Sequence, residues 1–411
     1  MHSILENYKK NKVFYWFTLC LFAIIILLEI KNNRFEMSDF KVYYLAGKAF
    51  FGGNPIYGVN FGLTSGYYKY SPVFILLFSP YLLFGYKTAC IIHGLMLAIA
   101  TIISIITVKN IFQNTILHQE IKHKYLLLFV ILITVNHLFR EIHLGNVNMF
   151  IVMLLCLGMQ KTMEEKYLLS GVFIAMAIFI KPYLVVLALP LLFHNKLKNI
   201  LIVIIWSVLL FFLPIVFLGI DSFIHLNKQW IHEIFQHGAY LYSNHTFTSL
   251  VRRYITLRVN DHSHLYFLIT FIFSYTLIYF ISLKKYSALS ENNNNKSLVF
   301  SYFIILAILP NILITDTEHF LYSTPIILFS IYYLYLNNHL KYTSVFGIFS
   351  ILYGINSTDI LGRELSGKFE NYGILGLANL GIIITFLLLQ RNQKKVDSIS
   401  TQDLHKIQDE F

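Results

Sequence analysis

A chain of 411 residues would fill two or three soluble domains, but 56% hydrophobic residues, only 13% charged ones and a mean hydropathy of +0.62 exclude a soluble globular protein. The net charge of +11, from 32 Lys+Arg against 21 Asp+Glu, does not point to nucleic acid, because the basic residues sit mainly between apolar runs, where they orient membrane helices. Runs able to cross roughly 30 Å of hydrocarbon follow one another almost end to end, without the ten-residue alternation of a barrel. The predicted fold is therefore all-α, a polytopic membrane helical bundle of about twelve transmembrane helices with two structured outer loops.

Residues 1–12 are short and basic, and the apolar run 13–30 is too long for a signal-peptide core and lacks a cleavage site, so it is an uncleaved first span. Residues 31–70 are too polar and Gly-rich to cross and form the first outer loop, with a turn at Gly52-Gly53-Asn54-Pro55. The stretch 71–85, carrying Pro72 and Pro80, is short for a crossing and is predicted to be re-entrant or juxtamembrane; counting it as a full span would reverse every segment up to residue 192. Residues 86–110 then cross toward Lys109, Lys122 and Lys124, which the positive-inside rule places in the cytoplasm. Segments 125–139, 147–160, 167–180 and 183–193 alternate in direction, several of them tilted or broken. Residues 200–220 lead to the second outer loop, 221–264, and 265–283 return to an Asn-rich tract, 292–295, read as a solvated cytoplasmic loop. Spans at 298–314, 320–336, 342–355 and 372–390 complete a single domain, 1–390. A polar cytoplasmic tail, 391–411, follows, and no internal repeat is visible. Cys20, Cys90 and Cys156 all lie in apolar runs and suggest neither disulfides nor a metal site.

Polar groups kept at span ends are informative, because a charge at mid-bilayer costs ~2.5 kcal/mol or more. Asp39 precedes Phe40, Tyr43 and Tyr44, and partial burial there would raise a carboxyl toward the range of a general base; Ser38-Asp39 equally suits a helix N-cap. Gly145-Asn146-Val147-Asn148, after Arg140-Glu141-Ile142-His143, is either a plain turn or a pair of amides beside free helix N–H groups, suited to a hydroxyl-rich ligand. Lys181-Pro182 interrupts 167–193, so its lysine must find a cavity, a neighbour or an anion, or snorkel to the interface. Asn244-His245-Thr246 with Ser249, Arg252 and Arg253 offers guanidinium forks to a phosphate or to lipid headgroups. Asp316, Glu318 and His319 cluster where one span ends and the next begins. Together these groups predict one crevice open to the outer leaflet, holding a lipid-linked phosphate donor whose tail stays in the bilayer.

These residues resemble glycosyltransferase family 87, polytopic GT-C enzymes that include polyprenol-phosphate-mannose-dependent mannosyltransferases. The family's Asp-Phe-x-x-Tyr-Tyr opening, with a following Gly and Tyr, resembles Asp39 to Tyr44 with Gly53 and Tyr57. Its Tyr-x-Pro resembles Tyr70-Ser71-Pro72, its Gly-Gln-x-Asn turn Gly145 to Asn148, and its Lys-Pro Lys181-Pro182. Its Asn-Gln-Ser with a downstream Arg resembles Asn244-His245-Thr246 with Arg252, and its late His motif Glu318-His319; Asn146 and His245 replace the usual Gln. The likeness extends from residue 38 to about residue 325.

The resemblance implies an integral membrane hexosyltransferase that moves mannose or another hexose from a polyprenyl-phosphate donor to a lipid or glycan acceptor, with inversion. Asp39 would be the catalytic base, and Lys181, Arg252 and His319 would stabilise the leaving phosphate, His319 thereby counting as catalytic. Tyr43, Tyr44, Asn146, Asn148, Asn244, His245 and Glu318 would complete substrate binding. With Glu36 and Asp39 three apart there is no Asp-x-Asp, so no metal cofactor is expected. The sequence fits a multi-pass protein of a bacterial inner membrane, its active site facing out and its partners the bilayer, the lipid-linked sugar and the acceptor, not nucleic acid. A transporter or flippase of lipid-linked sugars is the alternative; it would place ionisable groups at mid-span, whereas here they crowd one side.

Overall fold

The structure, a computed structural model, describes residues 2–62, 66–117, 123, 125–236, 244–254, 291–312, 316–337 and 340–390. The expected span 265–283, the tail 391–411, and Lys122 and Lys124 lie outside the described residues. Within them the chain is helical, apart from loops and an isolated bridge between Asn60 and Tyr67.

Helix α1 (His2–Lys31) is kinked at Asn11 and precedes α2 (Ser38–Phe51), which buries Phe40, Tyr43, Tyr44, Ala46 and Phe50. Met37, in the left-handed region at φ 46°, holds the position before α2, and no side chain caps the helix. Asp39 is therefore not a cap, and its carboxylate is available elsewhere. Helix α3 (Pro72–Phe78) starts on Ser71, whose Oγ accepts from the Phe74 N–H, and tightens into a 3-10 turn, Ser79–Leu83; the pair is too short to cross. Helix α4 (Tyr86–Ile111) continues through a π-helical turn, Phe112–Leu117, and is followed by α5 (Leu126–Leu144), α6 (Asn148–Met163) and α7 (Tyr167–Ile180). Lys181 then breaks the helix ahead of a 3-10 turn, Pro182–Leu187, and α8 (Ala188–Phe193).

Helix α9 (Leu197–Gln236) contains Pro214 and changes direction at Gly219, at φ 74° and ψ 171°. Residues 221–236, expected in a loop, are thus helical, and residues 237–243 and 255–264 of that segment lie outside the described residues. After α10 (Phe247–Tyr254) comes α11 (Glu291–Ile312), whose backbone is helical through 292–295. That corrects the solvated loop expected there: the His194 Nδ1–H donates to Asn294 Oδ1 at 2.6 Å and Asn294 Nδ2 to the His194 carbonyl, so a tertiary contact overrides a weak helix propensity. A 3-10 turn, Thr317–Ser323, leads into α12 (Thr324–Asn337), α13 (Leu340–Gly354), α14 (Thr358–Asn371) and α15 (Ile374–Gln390).

Six of the described helical segments are long and apolar enough to cross a membrane, or seven if α13 and α14, bent by 95°, form one span. Five further apolar helical segments are shorter, in keeping with the tilted or broken spans expected between 125 and 193. Helix α6 packs between α4 and α7, α7 against α9, and the Thr317–Ser323 turn is lodged among α5, α6 and α11. Buried polar ties fix that turn: Ser323 Oγ donates to Asn379 Oδ1 at 2.5 Å, Tyr353 OH to the Phe320 carbonyl, and Asn379 Nδ2 to Asn311 Oδ1 at 2.6 Å. Lys109, Lys161, Lys166, Lys196 and Lys198 collect at one end of the bundle, where α4, α6 and α8 finish and α7 and α9 begin. Asp39, the 145–148 turn, Lys181 and residues 316–319 meet at the other.

Gly145, the C-cap of α5 at φ 66°, lets α2 lie against this turn, since a Cβ there would come within 2.6 Å of Phe40 Cβ and 2.8 Å of Met37 Cβ. Gly145→Ala adds to that clash the ~1 kcal/mol cost of a left-handed side chain. It is expected to lower the melting temperature in detergent and to cut activity at least ten-fold by pushing Asp39 off Asn146; unchanged activity would show that α2 has no fixed seat.

Candidate functional site

One turn organises the site. Asn146 ends the α5 connection and Asn148 opens α6, so their side chains leave the same turn in different directions. Asn146 Nδ2 donates to Asp39 Oδ2 at 2.9 Å and to Glu318 Oε1 at 3.2 Å, joining a carboxylate of α2 to one 279 residues later. Its Oδ1 accepts from the Val147 N–H at 2.8 Å and from Tyr43 OH at 3.4 Å, and Tyr43 OH lies 2.8 Å from Tyr70 OH. His93, buried in α4, holds the Asn146 carbonyl through Nε2 at 3.1 Å.

Asn148 faces the other way. Its Nδ2 donates to Glu141 Oε2 at 2.9 Å, and Glu141 Oε1 accepts the Met149 N–H at the same distance. This orients the Asn148 amide so that Oδ1 accepts from Lys181 Nζ at 2.6 Å and from Tyr322 OH at 3.3 Å. Lys181, freed by the α7 break, also donates to His319 Nε2 at 2.6 Å. With Nε2 accepting, the His319 proton sits on Nδ1, which donates to the Asp316 carbonyl at 3.2 Å. Thus the Val147 and Met149 N–H groups at the start of α6, expected to be free for a ligand, are taken by Asn146 and Glu141, and the turn works through its side chains.

Asp39 is half-buried, and burial, reinforced by the Asp316 carboxylate, pushes its carboxyl up to about 6 against the pull of Lys181, Arg140 and Lys69. Glu318 is fully buried, with Arg140 Nε 3.9 Å from its Oε2.

The expected residues divide into four groups. Asp39, Tyr43, Asn146, Asn148, Lys181, Glu318 and His319 come together as described. Tyr44 does not join them: one helical step round from Tyr43, its OH donates to the Phe84 carbonyl at 2.7 Å. Asn244 and His245 instead line a cavity of about 590 Å³ beside this cluster, next to Asp316 and Thr317. Arg253 Nη2 donates to Asn244 Oδ1, while the side chain of Arg252 lies outside the described residues. No described cation from 244–254 accompanies Lys181. Arg140, which reaches Glu318, and Glu141, which holds Asn148, lie just past an apolar run that ends at Phe139, and the sequence signal for them is a charged pair inside a continuing helical pattern. Among the described residues no group of three or more His, Cys, Asp or Glu is disposed to hold a metal.

Residues 68–310 match the model of glycosyltransferase family 87, a shorter span than the likeness read from motifs, since it leaves out Asp39 and Glu318-His319. Comparison with curated proteins finds no match.

Proposed function

The chain belongs to glycosyltransferase family 87 and is a membrane glycosyltransferase, and from that premise we propose that it moves a hexose from a polyprenyl-phosphate donor to a lipid or glycan acceptor, with inversion. The observation that carries this reading is that a carboxylate with a raised pKa, Asp39, and a buried ammonium, Lys181, hang from the two asparagines of one turn. A sugar transfer needs these two groups on either side of the anomeric carbon. Asp39 takes the proton of the acceptor hydroxyl, the acceptor oxygen bonds to the anomeric carbon, and the bond from that carbon to the phosphate oxygen breaks, its electron pair leaving with polyprenyl phosphate. Lys181, held by Asn148 and His319, neutralises the charge that grows on that oxygen, the service a metal performs in other phosphate chemistry, so no metal is required. His319 acts by aiming Lys181, not by moving a proton. On this reading the site lies on the outer face of the plasma membrane, in a GT-C type arrangement, where a lipid-linked donor keeps its tail in the bilayer.

The test uses the purified protein in nanodiscs with radiolabelled polyprenyl-phosphate mannose or glucose and a membrane extract as acceptor. Label should pass to the acceptor with one polyprenyl phosphate released per sugar, and EDTA should leave the rate unchanged. Donor recovered intact but moved across a vesicle bilayer would instead identify a flippase, and loss of transfer in EDTA restored by a divalent cation would overturn the metal-free mechanism.

A further inference from the structure

The 590 Å³ cavity beside the Asp39 cluster has a chemistry of its own. Its walls come from the ends of α1 and α5, from residues 244–245 and 316–317, and from α14, which turns by 95° out of the line of α13. Its size falls in the range of ~300–1,000 Å³ that encloses small ligands, yet it lacks the apolar lining usual for them; Phe139 is its one large apolar wall residue. Glu29, Asp316, Asp359 and Glu370 supply four carboxylates against two guanidiniums, Arg34 and Arg140, and the His143 Nδ1 contact to Glu29 at 2.8 Å occupies the one imidazole that carries a charge partner. An anionic guest meets net repulsion there. A guest rich in hydroxyls finds acceptors in the carboxylates, donors in the guanidiniums, and groups of both kinds in the amides.

His245 gives the second indication. It lines the cavity, is 4% exposed, and its Nδ1 is buried with no hydrogen-bond partner. Burial and the neighbouring Arg253 hold its imidazole down to about 4, so it is neutral and can donate to or accept from a hydroxyl.

The cavity also sits where the chemistry needs it. Arg140 belongs to its wall and reaches Glu318, which shares the Asn146 amide with Asp39, whereas Lys181 lies beyond the same turn on the other side. Asp39 thus stands between the Lys181 ammonium, on one side of the turn, and a polar, net-acidic cavity on the other. Resting on the transferase reading above, we infer that this cavity is the acceptor site and that it takes an uncharged, hydroxyl-rich sugar headgroup rather than an anionic one.

Asp359 and Glu370 are exposed on α14 and away from the Asp39 cluster, so the double variant Asp359→Asn/Glu370→Gln should fold normally. In the nanodisc assay it should raise the KM for a neutral alkyl glycoside acceptor at least ten-fold and leave the donor KM within two-fold. The wild type should use the neutral alkyl glycoside at least ten-fold better than an alkyl glucuronide with the same tail. Asp359→Lys/Glu370→Lys should narrow or invert that preference. Slow release of free hexose to water reports the donor side separately. Donor cleavage with an unchanged acceptor KM in both double variants, or a wild-type preference for the glucuronide, would overturn the acceptor assignment and leave the transferase standing. A wild type that neither transfers nor cleaves the donor would remove both.

Discussion

Asp39→Asn should lower sugar transfer by about 10²- to 10⁴-fold, the usual worth of a positioned general base, with donor binding nearly unchanged. The substitution is close to isosteric, and its Oδ1 can still accept from Asn146 Nδ2, which lies 2.9 Å from the native carboxylate, so the turn keeps its geometry while losing the base. Transfer by the native protein should fall as pH drops through about 6, because only the ionised carboxylate accepts the proton. The stability effect has the opposite sign to that of an ordinary surface carboxylate. A carboxyl held at about 6 in the fold instead of 3.8 binds its proton more tightly folded than unfolded, so it costs the native state roughly 3 kcal/mol near neutrality, and that cost is relieved as pH falls from 6 toward 4. The variant should therefore melt at a higher temperature than the native protein at pH 7 while being inactive. Full activity in Asp39→Asn, measured with radiolabelled donor, would remove Asp39 from the chemistry.

Lys181→Met should be the second most damaging change, reducing kcat/KM for the donor about 10²- to 10³-fold by deleting the cation that meets the leaving phosphate. Methionine keeps most of the volume of the lysine stem, so packing is a minor part of the loss. The charge is not minor: Lys181 is buried within the influence of Glu141, Glu318, Asp316 and Asp39 and leaves them uncompensated when removed. Breaking a buried ionic arrangement from one side costs about 3–5 kcal/mol, so a lower melting temperature should accompany the kinetic defect. Lys181→Arg should fail to rescue, because Nζ is fitted at 2.6 Å to both Asn148 Oδ1 and His319 Nε2, and a planar guanidinium cannot occupy that point. A Lys181→Met protein with native donor KM and native turnover would show that phosphate is held elsewhere.

The helical class is legible because apolar length is a one-dimensional property that survives in sequence. Asp39, Lys181 and Glu318 were legible for the same reason inverted: each is a charge lodged at the edge of an apolar run. Glu141 and Arg140 escape a span reading because it stops at the first charge, whereas α5 runs on to Leu144 and is shielded by the Thr317–Ser323 turn. Tyr44 was included because adjacent residues look equivalent in a string, although a helix turns them about 100° apart. Asn244 and His245, offered with Arg252 as ligands of a phosphate, line the cavity and not the surroundings of Lys181. Residue type said hydrogen bonding, and only the fold says on which side of Asn146 the bond is made.

The bend between α13 and α14 ties the enzyme to its surroundings. Having left the bundle axis, α14 lies across one end with Ile360 and Leu365 exposed, while its Asp359, Ser366 and Glu370 roof the cavity. Were that apolar edge to rest in the headgroup layer, a thicker or thinner layer would bear on the ceiling of the chamber below, and turnover would follow bilayer thickness in vesicles of graded acyl length.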